Sequence, residues 1–160
     1  MGEGESESIA FELAYGQLRS QKEDLQFFRG QASFAAAVAG LISTVFATIL
    51  GDQIVSSTGM TFLGLSPVSW IIFTCFSLSV GFSVKAFMGW RSCTFDLSPA
   101  MALYYSEHNL SSIDLKKMLA SDADRYFDEN EDVITDTRHF LALALTFAWL
   151  QIPAWLLLLM

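Results

Sequence analysis

Three long uncharged stretches dominate the pattern of hydrophobic and polar positions along the chain. No Asp, Glu, Lys or Arg lies between Arg29 and Asp52, between Asp52 and Lys85, or after Arg138. About 20 apolar residues in a helix cross the hydrocarbon core of a bilayer, which is about 30 Å thick. The strongly apolar part of the second stretch begins at Pro67, a residue suited to the first turn of a helix. The sequence therefore predicts three transmembrane helices, at 31–51, 67–89 and 139–160.

The composition favours an integral membrane protein over a soluble domain. Hydrophobic residues make up 52% of the 160 residues and charged residues 16%, whereas soluble domains carry about 25% charged residues. We predict an all-α membrane protein with a small helical cytoplasmic part. The net charge of −8 argues against binding to an extended nucleic-acid duplex. The first 30 residues lack the basic and apolar regions of a cleavable signal peptide, so the first span is expected to direct insertion.

The distribution of basic residues predicts the topology. None of the nine Lys and Arg residues lies in 52–66, and all of them lie in or next to 1–30 and 90–138. By the positive-inside rule, residues 1–30 and 90–138 are cytoplasmic, and the 52–66 loop and the C-terminus are external. Lys85 is close enough to the inner end of the second span to extend toward the cytoplasm.

A periodic apolar stripe predicts an amphipathic helix before the first span. Phe11, Leu18 and Leu25 recur every seven residues within 8–28, and Ser8 is placed to cap the helix. Packing of this stripe on the protein's own second loop is the leading interpretation. A contact between subunits and a helix lying on the bilayer surface are the alternatives.

The 90–138 loop is long enough to contain helices of its own. Pro99 precedes a short apolar segment that predicts one helix, and Ser112 precedes another. Ser121 resembles the start of a capping box for a further helix. Because that segment contains no Gly or Pro before Arg138, we expect it to continue into the third span as one helix.

Acidic residues are concentrated just before the third span. Some of them recur every four residues and so share one helical face. The candidates for an acidic vestibule or a partner-docking face are Asp124, Asp128, Glu129, Glu131, Asp132 and Asp136. A calcium-binding EF-hand loop is disfavoured because Val133 stands in place of the required glycine and His139 in place of the bidentate glutamate. A solvated helix face is the simpler interpretation of the same pattern.

The sequence contains little that indicates catalysis. It has no phosphate-binding glycine loop and no dinucleotide fingerprint. Ser83 with His139 or Lys85 as its base is a weak candidate for a nucleophile, because Val84 replaces the glycine expected after the serine. The two cysteines, Cys75 and Cys93, supply neither a disulfide framework nor a zinc site. We therefore predict that the protein is not an enzyme and has no catalytic residues, no metal site and no cofactor.

Polar and small residues inside the spans provide candidates for a pore. The first span carries small residues every four positions, which let helices approach closely. The pore or gating candidates are Thr44, Thr48, Ser77, Gly81, Ser83, Lys85, Gln151 and Pro153. Pro153 is expected to bend or loosen the third helix near Trp149. Ser and Thr in membrane helices also commonly bond their own backbone, so a purely structural role stays open. Three helices cannot enclose water, so a pore requires a homo-oligomer.

The N-terminal third resembles a group of bacterial membrane effectors. The segment ELAYGQLRSQKEDLQFFRGQASFAAAVAGLISTVF combines a polar helix, an arginine just before the bilayer and an alanine-rich first span. This order, over residues 11 to about 50, is similar to small membrane effectors of anti-phage operons that contain a nucleotidyltransferase or cyclase, such as the Hailong system. The resemblance implies an effector in the bacterial inner membrane that depolarises the cell during abortive infection. It also implies gating by a partner nucleotidyltransferase or its nucleotide product.

Two functional hypotheses follow. The first is an oligomeric ion channel in the lipid bilayer, gated from the cytoplasm and acting in antiviral defence. The second is a membrane-anchored scaffold whose cytoplasmic loop docks a soluble partner enzyme.

Overall fold

A computed structural model describes residues 3–56, 66–89, 93–96, 103 and 111–158. Its three long helices are α1 (Glu3–Ser56), α2 (Pro67–Met88) and α3 (Ser112–Leu157). Each is long and apolar enough to cross a membrane. The prediction of an all-helical protein with three membrane-spanning candidates is therefore confirmed. Of the short helix predicted after Pro99, the structure describes only Leu103, which is helical; the rest of that segment lies outside the described residues.

The predicted amphipathic helix and the first predicted span form one helix. Helix α1 begins at Glu3, so the prediction that Ser8 caps it is wrong. The Ser8 hydroxyl instead accepts a hydrogen bond from Nζ of Lys116, at 3.1 Å. Gly30 is exposed and does not interrupt the helix, because a single glycine costs only about 1 kcal/mol in a helix interior.

The helices predicted to start at Ser112 and at Ser121 form one helix, α3, which begins at Ser112. The Ser111 hydroxyl accepts the backbone N–H of Asp114 at 3.2 Å and donates to its carboxylate at 2.7 Å, which satisfies one of the free donors of the first turn. Ser121 lies inside the helix, so the helix start predicted there is wrong. The predicted continuation into the third span is confirmed, and the helix extends beyond Pro153 to Leu157.

The chain divides into two compact units. Unit 1 comprises Met1–Phe27 and Gly89–Asp136, and unit 2 comprises Phe28–Met88 and Thr137–Met160. In unit 1 the predicted apolar stripe contributes to the core, because Leu18 and Leu25 are completely buried. The same unit contains residues of the second loop, and packing of the stripe on that loop stays a prediction.

Small residues fill part of the interior of unit 2, and many large apolar residues lie outside. Ala35 and Ala39 of α1 and Ala144 of α3 are completely buried. The large exposed side chains include Phe34, Leu41, Ile49, Phe73 and Trp149. Water would disfavour so many exposed large apolar side chains, whereas lipid tails accommodate them and small residues allow close helix packing. This distribution is the one expected of helices surrounded by lipid.

Candidate functional site

Four of the predicted pore residues lie on the exterior of unit 2. Thr44 and Thr48 of α1 are exposed, as are Ser77 and Gly81 of α2. The Thr44 hydroxyl donates to the Gly40 carbonyl, and the Thr48 hydroxyl donates to that of Thr44, both at 2.8 Å. A hydroxyl that donates to its own helix keeps oxygen lone pairs free to accept a hydrogen bond or contact a cation. We call Thr44, Thr48, Ser77 and Gly81 the exposed polar set.

Two glycines in this region are not required by the packing of one chain. A Cβ atom added to Gly40 or to Gly81 would meet nothing within 4 Å. Glycine destabilises a helix interior by about 1 kcal/mol relative to alanine. Contacts within the chain do not compensate for that loss, whereas a closely approaching helix from outside the chain would make use of the missing side chain.

Two other pore candidates are buried inside unit 2. Gln151 is completely buried, and its Oε1 accepts a hydrogen bond from the Ser43 hydroxyl at 2.9 Å. Ser83 is 2% exposed. Among the described residues, the Ser83 hydroxyl and the Gln151 amide nitrogen have no hydrogen-bond partner. Ser83 and Gln151 therefore lie in the interior of unit 2 and do not belong to the exposed polar set.

The interior of unit 2 is closed by a direct contact between α2 and α3. The Ser79 hydroxyl, which is completely buried, donates to the backbone carbonyl of Ala144 at 2.9 Å. Completely buried alanines occupy the neighbouring positions of the core. A bond from a side chain to a backbone requires the two helices to approach closely, and this leaves no wide channel between them.

Lys85 belongs to a cyclic set of cation–phenyl contacts. The three pairs are Arg29 with Phe87 at 4.4 Å, Lys85 with Phe140 at 4.5 Å, and Arg138 with Phe28 at 5.3 Å, measured to the ring centroid. Each cation lies over a ring of the next helix, α1 on α2, α2 on α3 and α3 on α1. Such contacts contribute about 0.5–1 kcal/mol each at exposed sites and more where water is excluded. We call these six residues the cation–phenyl cycle.

The last of the pore or gating candidates, Pro153, is exposed on α3. It lies within the continuous helical segment that ends at Leu157. Since proline has no backbone N–H, the Trp149 carbonyl lacks the donor it would have in an unbroken ladder.

In unit 1, α1 is joined to α3 by a buried amide. Gln21, which is 4% exposed, donates through Nε2 to the backbone carbonyl of Phe127 at 3.0 Å and to the carboxylate of Glu131 at 3.1 Å. Glu131 is thus partly engaged within the chain. Glu131 therefore differs from the neighbouring exposed acidic residues in accepting a hydrogen bond from α1.

A second buried amide holds the segment that follows α2. Asn130 is 2% exposed, accepts the backbone N–H of Thr94 at 3.0 Å and donates to the Thr94 carbonyl at 2.9 Å. The neighbouring Phe95 is buried. An ion pair joins Lys22 to Asp96 at 3.2 Å. Together these contacts dock residues 94–96 against α1 and α3 of the same unit.

The predicted acidic residues lie on exposed positions of α3. Asp124, Asp128, Asp132 and Asp136 are four residues apart and exposed. Glu129 and the partly buried Asp122 each lie 3.7 Å from the Arg125 guanidinium. The pKa of Arg125 is raised, first by a hydrogen bond with Tyr126 and then by the nearby carboxylates. Within the described ranges, no group of three or more His, Cys, Asp or Glu side chains could hold a metal ion.

Three residues with buried or interhelical contacts were not predicted as site residues from the sequence. They are Asn130, Ser43 and Arg29, which make the contacts described above. A detectable signal exists for Asn130, because it lies four residues before the buried Ile134 and seven before the buried Thr137. A polar side chain at a stripe position that faces a partner helix often fixes the register of that contact.

Comparisons with protein families, with curated protein sequences and with solved structures give no match to this chain.

Proposed function

We propose that this protein is a homo-oligomeric ion channel whose conducting path lies between copies of the chain. The observation that carries the proposal is the exposed polar set of unit 2, formed by Thr44, Thr48, Ser77 and Gly81. Lipid tails offer these hydroxyls and backbone atoms no polar contact, whereas a water-filled path does.

The path lies between copies because one chain fills its own interior. Ala35, Ala39 and Ala144 are completely buried, and Ser79 bonds directly to the backbone of α3. Assembly of several copies would place α1 or α2 at a common axis. The open space beside Gly40 and Gly81 would then allow a neighbouring helix to approach.

The acidic residues of α3 would give the channel a preference for cations. Asp128, Asp132 and Asp136 are exposed and immediately precede the third span in the sequence. A ring of carboxylates at a pore mouth raises the local concentration of cations. Because α3 is one helix from Ser112 to Leu157, displacement of its cytoplasmic part would move the third span and provide a gate.

The biological role proposed for the channel follows from the resemblance to anti-phage effectors. The protein would lie closed in a bacterial inner membrane, with residues 90–138 in the cytoplasm. A partner nucleotidyltransferase or its nucleotide product would open it during infection. Opening would depolarise the membrane and stop the cell from supporting the phage.

Membrane potential after induced expression in bacteria tests this proposal. We expect a voltage-sensitive dye to report rapid depolarisation with growth arrest, relieved by one co-expressed neighbouring gene. The double substitution Thr44→Leu and Thr48→Leu should abolish depolarisation, whereas Val45→Leu, also at an exposed position of α1, should not. An unchanged potential under every combination of neighbouring genes, with insertion verified, would contradict the channel.

Ion selectivity provides a second test. Replacement of three exposed carboxylates by lysine reverses the charge of the proposed vestibule. The residues to replace are Asp128, Asp132 and Asp136. We expect the reversal potential in a salt gradient to move toward the equilibrium potential of the anion. An unaltered reversal potential would refute the role of these carboxylates in cation preference.

A membrane-anchored scaffold is the second candidate function. The exposed acidic positions of α3 would equally suit a soluble enzyme with a basic surface. In that case the full-length protein in detergent would retain a protein encoded by a neighbouring gene in a salt-sensitive manner. Expression of the protein would then cause no leak.

A further inference from the structure

A groove open to the outside runs between α1 and α2 in unit 2. Its volume is about 200 Å³. Its lining residues are Ala32, Ser33, Ala36, Ser83, Val84 and Phe87. Small side chains on α1 form one wall, and this explains why the two helices leave space between them. The groove is almost entirely apolar, so it suits a hydrocarbon chain and not a polar ligand alone.

A positive charge stands at one end of this groove. Phe87 both lines the groove and carries the Arg29 guanidinium 4.4 Å above its ring. Ser83 lies one helical turn from Phe87, about 6 Å along α2. The groove therefore extends along the spans from the charged end toward the middle of the membrane helices.

The other two cations of the cation–phenyl cycle lie on the other two helix pairs of unit 2, Lys85 between α2 and α3 and Arg138 between α3 and α1. Lys85 and Arg138 lie over phenyl rings of the neighbouring helices at 4.5 and 5.3 Å. Each of the three helices thus contributes one basic side chain. Packing against the rings holds the three side chains in place, so less conformational freedom is lost when an anion binds.

We propose that this groove and the adjacent cations form a binding site for one anionic phospholipid. The lipid phosphate would contact the Arg29 guanidinium, which matches phosphate geometry. One acyl chain would occupy the groove beside Ala36 and Val84. Lys85 and Arg138 would favour a headgroup with a net negative charge over a zwitterionic one. Basic pockets between membrane helices are common sites for anionic headgroups.

A buried hydroxyl supports the placement of the lipid. Ser83 is 2% exposed, lines the groove and has no hydrogen-bond partner among the described residues. A buried hydroxyl without a partner is unfavourable. Its depth, one turn from Phe87, is that of the ester carbonyl of a lipid whose phosphate lies at Arg29. Rotation of the hydroxyl toward the groove would let it donate to this carbonyl.

Lipid binding to the purified full-length protein tests the site, and it does not depend on conductance. The delipidated protein in detergent is titrated with fluorescent phosphatidylglycerol, with phosphatidylcholine and soluble glycerol phosphate as competitors. We expect phosphatidylglycerol to bind at least about tenfold more tightly than phosphatidylcholine. Glycerol phosphate should not displace it, because it lacks the acyl chains. Equal affinity for the two lipids, or displacement by glycerol phosphate at similar concentration, would overturn the proposal.

Charge variants test the headgroup contact. Arg29→Gln should weaken phosphatidylglycerol binding about fivefold, since one basic residue near a lipid surface is worth about 1 kcal/mol. Lys85→Gln should weaken it as well. Arg19→Gln is the matched control, because Arg19 is on the same helix in unit 1 and pairs with Glu23. Equal affinities of the Arg29 and Arg19 variants would refute the assignment of the headgroup.

A size variant tests the acyl-chain contact. Ala36→Leu fills the groove and should lower the affinity for phosphatidylglycerol at least about fivefold. Ala37→Leu is the control, because Ala37 is exposed and does not line the groove. Ser83→Ala, which preserves the volume of the groove, should weaken binding by a smaller factor. If Ala36→Leu binds the lipid as the unmodified protein does, while circular dichroism shows full helicity, the groove is not the site.

Discussion

Replacement of Asn130 by alanine should release the segment that follows α2. Asn130 pairs with both the N–H and the carbonyl of Thr94, at 3.0 and 2.9 Å, and is 2% exposed. Hydrogen bonds of this kind contribute about 0.5–1.5 kcal/mol each. The two together therefore contribute about 1–3 kcal/mol, since alanine can replace neither of them.

This loss should be visible as faster amide hydrogen exchange at Thr94. About 1.4 kcal/mol corresponds to a tenfold change in an equilibrium constant, so exchange should accelerate about 5- to 150-fold. Phe95 remains buried in unit 1, and its burial should keep the segment partly docked. Exchange in the spans of unit 2 should not change, because the substitution affects a local opening.

Asp128→Ala is the matched control, because Asp128 is on the same helix but exposed. In the Asp128→Ala variant, the exchange rate of the Thr94 amide should agree with that in the unmodified protein within a factor of about two. If Asn130→Ala leaves exchange at Thr94 unchanged, the two hydrogen bonds do not hold the segment, and this description of unit 1 is wrong.

Three further predictions concern single side chains. Gln151→Leu should change the free energy of unfolding, measured by circular dichroism in detergent, by less than about 1 kcal/mol. Hydrogen bonds between membrane helices average about 0.6 kcal/mol, and the Gln151 amide nitrogen has no partner among the described residues. Lys22→Ala should cost at most about 1 kcal/mol in the same measurement, because its ion pair with Asp96 is solvent-exposed. Burial raises the pKa of the Cys93 thiol, so in a Cys75→Ser background its alkylation at pH 8 should be slower than in the denatured chain. Burial of the neutral Cys93 thiol adds to the free energy of unfolding at pH values below the thiol pKa of the unfolded chain, which is about 8.5. This contribution should be lost as the pH rises through the higher thiol pKa of the folded protein. A larger loss for either stability variant, or equal alkylation rates, would contradict these assignments.

The three long apolar helices were predictable because their signal is contained in short stretches of sequence. The uncharged runs and Pro67 locate α2 and the apolar parts of α1 and α3 without any knowledge of packing. The helix starts were less accurate. Ser8 and Ser121 resemble caps locally, but neither is preceded by a residue that ends a helix, so α1 and α3 continue through them.

The contacts within each unit were not predictable in the same way. Gln21 and Glu131, or Asn130 and Thr94, are far apart in sequence and meet only when the chain folds. For the same reason, the sequence does not show which polar residues of the apolar segments are exposed and which are buried. Thr48 is exposed and Gln151 is buried, although both are polar residues in apolar segments, because exposure depends on which face packs against the other helices.

The central claim is that several copies of the chain conduct ions through a path lined by the exposed polar set. Reconstitution of the purified full-length protein in a planar bilayer under a salt gradient tests it most directly. We predict discrete single-channel currents with a reversal potential close to that of the cation. The double substitution Thr44→Leu and Thr48→Leu should abolish these currents. Silent bilayers at every protein density, with insertion verified and lipid composition varied, would contradict it.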